Sequence, residues 1–229
     1  RIEKLTIAPT ATILHYGIHT GKPEKRIDFV RFGDLEVNNK KVKTDQFGGF
    51  YQESQYDIDW YASQTHFDSI YGGVPKEVKV QLASAQMTIE DDKSIELDVN
   101  AKYPQTFEYA GSTISIDKIE AGQPTSIFIS NHDVKNREYE SLHLDVVSED
   151  EEIPYSTGMD ANGVLVDKNG NVYDPMSESI DYEEIEEPRH FITEQTIRID
   201  GDKIIPKKLI IYGYNTTKFL DDVVEITVK

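Results

Sequence analysis

The sequence predicts an all-β protein built from two related β-sandwich domains in tandem. Three observations point there. Apolar and polar residues alternate in short runs bounded by Gly, Pro, Asn and Asp, helical periodicity is nearly absent, and the chain matches itself in three ordered blocks. The clearest strands are Val78, Val80 and Leu82 around Lys79 and Gln81; Ile95, Leu97 and Val99 around Glu96 and Asp98; and Leu142, Leu144 and Val146 around His143 and Asp145. Successive strand residues point to opposite faces, so each run is expected to bury one face and wet the other, as half-buried antiparallel sheets require.

The self-match pairs Ile2-Glu3-Lys4-Leu5, Pro9-Thr10 and Ile13-Leu14 with Ile116-Asp117-Lys118-Ile119, Pro124-Thr125 and Ile127-Phe128. Val74-Pro75-Lys76-Glu77-Val78-Lys79-Val80 then matches Ile205-Pro206-Lys207-Lys208-Leu209-Ile210-Ile211, and Glu96-Leu97-Asp98-Val99 matches Glu225-Ile226-Thr227-Val228. The order and spacing imply internal duplication. The boundary is expected between Asn100 and Thr106, where Pro104 cannot donate to a ladder, giving domains 1–100 and 101–229. Phe107 to Ser115 reads as a hairpin turning at Ala110-Gly111. Arg1 aligns with Ser115, so the expectation is at least one more strand upstream of Arg1, on a fragment whose preceding part carries any targeting signal.

A formal net charge of -18 over 229 residues argues against nucleic acid and anionic membranes, which would repel the chain, and favours cations or basic partners. Cysteine is absent, which removes disulfides, thiolate metal sites and a cysteine nucleophile. There is no secretory leader and no apolar run of about 18 residues, so these residues insert no span into a membrane. The acids are uneven. From Asp145 to Glu187 fourteen of them face Lys168 alone, which reads as an acidic insertion of solvated loop, 145–187, in the second domain.

Chemistry-bearing patterns are few. The six histidines lack the paired helical spacing of zinc hydrolases, and a nucleophile elbow, a phosphate-cradling loop and a dinucleotide fingerprint are missing. The chain is therefore read as not an enzyme, with no cofactor except a weak calcium site. That site is the run Asp167, Asn169, Asn171 and Asp174, whose oxygens alternate as in a calcium loop, although Asn169-Gly170 is also a hairpin signal. Eight aromatics crowd Phe47 to Tyr71. Among them Tyr51, Tyr56, Trp60 and Tyr61 are candidates for a ligand surface, since aromatic platforms stack on sugar rings, while core packing uses the same residue types.

The opening Ile2 to Thr12, the Val-Pro-Lys-Glu-Val block at Val74 and the Asp-Lys-Asn-Gly-Asn run at Asp167 resemble a family of extracytoplasmic domains of bacilli. These are uncharacterised regions of membrane-anchored proteins, some labelled negative effectors of extracytoplasmic-function sigma factors. The resemblance implies two tandem immunoglobulin-like β-sandwich domains outside the membrane, an upstream transmembrane helix and a cytoplasmic segment that meets the sigma factor. The functional expectation is a non-catalytic sensory or interaction module whose partner is a protein or cell-wall component, with a cell-surface carbohydrate-binding or adhesive module as the alternative.

Overall fold

The computed structural model describes residues 1–19, 21–22, 24–44, 60–73, 75–122, 125–131, 137–148, 158–159, 165–166, 176–186, 189–199 and 205–228. Among them the fold is all-β. Sixteen strands follow in order: β1 (Ile2–Ile7), β2 (Thr12–His19), β3 (Gly21–Lys22), β4 (Lys25–Val37), β5 (Lys40–Val42), β6 (Trp60–Phe67), β7 (Glu77–Glu96), β8 (Gln105–Tyr109), β9 (Ser112–Glu120), β10 (Thr125–Ser130), β11 (Ser141–Ser148), β12 (Gly158–Met159), β13 (Leu165–Val166), β14 (Met176–Glu186), β15 (Arg189–Ile199) and β16 (Pro206–Thr227). One short 3-10 turn, Tyr71–Gly73, precedes β7.

The chain divides into two compact units. Unit 1 is Arg1–Ile89 with Thr216–Lys229, and unit 2 is Glu90–Asn215. This differs from the expected contiguous domains 1–100 and 101–229. Both β7 and β16 pass the division without a break; no Gly or Pro marks it in β7, and in β16 Gly213, at a shift in the ladder to β11, bends the strand without ending it, whereas Pro104 marks only the turn that leads into β8.

Unit 1 has a three-stranded sheet in the order β1-β2-β6 and a second set ordered β16-β7-β4-β3, with β5 paired to β4. Leu14, Tyr16 and Ile18 of β2 and Phe67 of β6 share one buried cluster with Leu35 and Val37 of β4 and Val78 and Val80 of β7, so the two sheets enclose a common core. Leu14, Leu35 and Val78 are fully buried, and each such side chain contributes about 1.5–3 kcal/mol relative to exposure. The buried hydroxyls in this core are paired. Ser63 donates to the Tyr16 phenol oxygen at 3.2 Å, and the Ile70 amide donates to Thr12 Oγ1 at 3.2 Å.

Unit 2 has a five-stranded sheet ordered β14-β15-β10-β9-β8, and its remaining strands follow β11-β16-β7. The β8–β9 hairpin turns at Ala110 (φ 44°) and Gly111 (φ 74°) between the paired Tyr109 and Ser112. Positive φ at both central residues is the turn whose twist suits a hairpin. Asn38 and Asn39 do the same between Val37 and Lys40.

Pairing recurs between the units. The order β1-β2-β6 reappears as β9-β10-β15, and β4 beside β7 reappears as β11 beside β16. Ile2 pairs with Tyr16 and Lys4 with His15, leaving Glu3 bulged; Ile116 pairs with Ile129 and Lys118 with Phe128, leaving Asp117 bulged. This register corrects the self-match by one residue in the second strand. Leu14 corresponds to Ile127 and Thr12 to Thr125, all four fully buried, while Ile13 and Phe128 lie on the other face.

Two further expectations change. The Val78 run and Ile95 belong to one strand, β7, which ends at Glu96, so Leu97 and Val99 fall beyond it. In β11 the face expected to be wet is not: Asp145 is 7% exposed, its Oδ1 accepting from the Val146 amide at 2.8 Å and its Oδ2 from the Tyr212 hydroxyl at 3.3 Å.

Candidate functional site

The four residues of the calcium reading, Asp167, Asn169, Asn171 and Asp174, lie outside the described residues, as do Tyr51 and Tyr56 of the aromatic surface. Beside the first group, β13 (Leu165–Val166) pairs with the upstream β12 (Gly158–Met159). Among the described residues no group of three or more His, Asp or Glu side chains is placed to hold a metal ion.

Trp60 and Tyr61 open β6, and as neighbours on a strand they project to opposite faces, so these two rings do not form one platform. Trp60 lies on the outer face of β1-β2-β6 across from His19, whose ring meets it edge-on at 5.0 Å. The Arg1 guanidinium sits 4.5 Å from the indole centre and is held by Glu3 at 3.1 Å. Gly17 permits this approach, because a Cβ there would lie 3.2 Å from the indole. Along the same face His15 Nε2 lies 3.1 Å from the Thr6 hydroxyl, and its pKa is lowered first by burial and then by Lys4. The face thus gathers an indole, a guanidinium and imidazoles within an acidic protein. Tyr61 is 47% exposed.

Unit 2 holds a second cluster, around the segment entering β11. Asn131 Nδ2 donates to Ser112 Oγ and to the Tyr139 hydroxyl, both at 2.7 Å. Arg137 donates to the carbonyls of Tyr139 and Glu140, each at 2.6 Å, and its guanidinium stacks 4.3 Å from the Tyr139 ring centre. Tyr214 meets Tyr109 and Tyr139 edge-on at 6.0 and 6.3 Å. Burial is the largest influence on these groups, raising the pKa of Tyr109, Tyr139 and Tyr214 and lowering that of Arg137. Sequence reasoning missed this cluster, because its members come from four separate segments and no local spacing marks them.

Two surface grooves lie among the described residues. In unit 2 Asp91, Asp92 and Lys93 of β7 line one with Glu108, Tyr109, Ala110 and Gly111. In unit 1 a groove of about 470 Å³ runs between Ile2–Leu5 of β1 and residues 224–228 of and beyond β16.

No family model and no curated protein matches the chain. Among solved structures it is similar to a conserved domain protein from Bacillus anthracis at 9% identity, over 100% of this chain and 86% of that one, with a TM-score of 0.24. A superposition this loose leaves the architecture to rest on the strand pairing described above.

Proposed function

We propose that the chain is a non-catalytic interaction or sensory module: a duplicated pair of immunoglobulin-like sandwiches carried outside the cytoplasm by a membrane-anchored bacterial protein. Its setting is regulation of an extracytoplasmic-function sigma factor, and its partner is a protein or cell-wall component. One observation carries the non-catalytic part. The buried ionisable groups with displaced pKa values are engaged within the fold: Arg137 donates to the carbonyls of Tyr139 and Glu140, the Tyr139 hydroxyl accepts from the Asn131 side-chain amide, the Tyr109 hydroxyl donates to the Asp91 carbonyl, and the Tyr214 ring packs against Tyr109 and Tyr139. A perturbed group is a catalytic candidate when it faces a cleft where a substrate can sit and is free to act there; Tyr109 lines the groove beside Asp91, but its hydroxyl is already given to the Asp91 carbonyl. The regulatory setting is supported by the sequence resemblance at Ile2 to Thr12, Val74 and Asp167.

The test replaces residues 1–229 in the anchored protein with an unrelated β domain of similar size and reads sigma-dependent transcription. A changed response to envelope stress is expected, and an unchanged one would remove the sensory reading. Turnover of model ester, glycoside or phosphoester substrates by the purified chain, abolished by a single carboxylate substitution, would overturn the non-catalytic reading.

A further inference from the structure

In sequence, β7 closes the first copy of the duplication and β16 the second, since Glu96-Leu97 matches Glu225-Ile226. In the fold each of these endings lies in the unit built mainly from the other copy. Residues 90–97 belong to unit 2, where the Leu97 amide donates to the Lys207 carbonyl at 2.6 Å and the Lys208 ammonium lies 3.1 Å from Glu96. Residues 216–229 belong to unit 1, where the Val228 amide donates to the Lys76 carbonyl at 3.0 Å and the Lys79 ammonium lies 3.0 Å from Glu225. Lys76 and Lys207 are matched positions of the two copies. The copies have therefore exchanged their last strand segments.

The exchange is lopsided. Unit 2, residues 90–215, is one uninterrupted stretch of chain, while unit 1 is assembled from two, 1–89 and 216–229, with all of unit 2 between them. The later stretch completes unit 1: Ile226 and Val228 pack against the cluster of Leu14, Leu35 and Val78, and Gln81 donates to Asp221 at 3.1 Å. Its own hold is light. None of residues 216–227 is buried, whereas Leu209 and Ile211, in the half of β16 that belongs to unit 2, are fully buried. The exchanged residues 90–96 of unit 2, which β8 reaches through Tyr109 and Lys93, are no more buried, so the light hold belongs to the segment and not to an open neighbouring edge. A folded unit 2 delivers β7 and β16 as neighbouring strands, and residues 216–229 arrive at unit 1 already aligned. An unfolded unit 2 turns residues 90–215 into a flexible loop, and closing a loop of that length lowers the equilibrium by about a thousandfold.

We propose that unit 2 governs unit 1: whatever opens unit 2 frees residues 216–229 and opens unit 1 with it, while unit 1 opens and recloses on an intact unit 2. Local opening runs in cooperative blocks of this kind. The device gives the chain a direction. A cation, ligand or partner that tightens unit 2 keeps unit 1 assembled, and one that loosens unit 2 exposes the core around Leu14 and Phe67 without touching it. This dependence is a property of the chain itself, so it goes beyond the interaction-module reading and does not rest on it.

The test uses the full chain in urea with two reporters: Trp60 emission for unit 1 and hydrogen exchange of the β10 amides for unit 2. Ile127→Ala empties a fully buried position of unit 2, and Ile116→Ala is added so that β10 opens below the parent's Trp60 midpoint. The Trp60 transition should fall to that of β10, with no urea concentration at which unit 1 stands beside an open unit 2. A unit 2 that never folds gives the same reading, because Trp60 must then report unit 1 open. Leu14→Ala should act on unit 1 alone: where Trp60 reports it open, β10 protection should stay within about threefold of the parent's. A tie separates control from general fragility. Lys79→Cys with Glu225→Cys, at positions whose native side chains meet at 3.0 Å in a chain without cysteine, fastens residues 216–229 to unit 1 directly once oxidised. Thiol titration confirms the bond, and the Trp60 transition should then return to the parent's midpoint while β10 still opens early. A folded Trp60 signal beside an exchanging β10 in the untied variants overturns the proposal. So does loss of β10 protection when Leu14→Ala opens unit 1, or a tied chain whose Trp60 transition still follows β10.

Discussion

The one-residue correction in β2 can be tested by truncating its two faces in turn. Leu14 is fully buried, sits in one core cluster with Leu35 and Val80, and has no room to be replaced by solvent, so Leu14→Ala loses both transfer energy and packing. Such truncations cost about 2–5 kcal/mol. With a urea slope of about 1–3 kcal/mol per molar for a unit of this size, the midpoint should fall by about 1–2 M. The neighbouring Ile13 lies on the opposite, half-buried face, and Ile13→Ala should cost about 1 kcal/mol or less. The single tryptophan, Trp60, belongs to unit 1, so its fluorescence reads that unit directly. The same contrast applies in unit 2 to Ile127 against Phe128, followed by hydrogen exchange of β10. If Ile13→Ala destabilises as much as Leu14→Ala, the assigned register is wrong.

Alkaline pH should loosen unit 2. Tyr103, Tyr109, Tyr139, Tyr212 and Tyr214 all have raised pKa values, in each case first through burial. A raised folded pKa means that their contribution is complete below the unfolded value of about 10 and is lost as pH rises through the folded values; circular-dichroism melts that stay flat from pH 8 to 11.5 would contradict this. Tyr139→Phe should cost about 1–3 kcal/mol in thermal denaturation by removing the acceptor of the Asn131 amide. Gly17→Leu should push Trp60 out from beneath Arg1 and shift its emission to the red, since even a Cβ there lies 3.2 Å from the indole. Millimolar calcium should raise the melting temperature more than sodium at matched ionic strength, and Asp167→Ala should erase the difference; equal effects of the two salts would end the calcium reading.

Alternation located the strands where one face is buried. Val78 and Val80, and Leu142, Leu144 and Val146, lie in the core as their spacing required. It was silent where a strand changes its surroundings midway. In β7 the small residues Ser84 and Ala85 are both buried, the parity of inward positions switches there, and the ladder to β4 shifts register nearby. Neither residue is a Gly, Pro, Asn or Asp, so none of the strand-bounding signals shows that the same strand serves two units. Asp145 was misplaced for a related reason, because its phenol partner Tyr212 is distant in sequence. Of the candidate site residues, the geometry of Trp60 and Tyr61 follows from strand parity alone. The groove beside Val223 was not legible, since it exists only once β1 and β16 stand at the edges of their sheets.

The continuity of β16 through both units bears on the order in which the protein can be made. A ribosome delivers residues 90–215 before the segment Thr216–Lys229 that completes unit 1, so the unit whose first strand emerges earliest is the last to close. Until then β7 waits with the edge meant for β16 unpaired, the state in which strands find wrong neighbours. A stop codon that removes only residues 216–229 would spare every residue of unit 2 and strip Ile226 and Val228 from the core of unit 1.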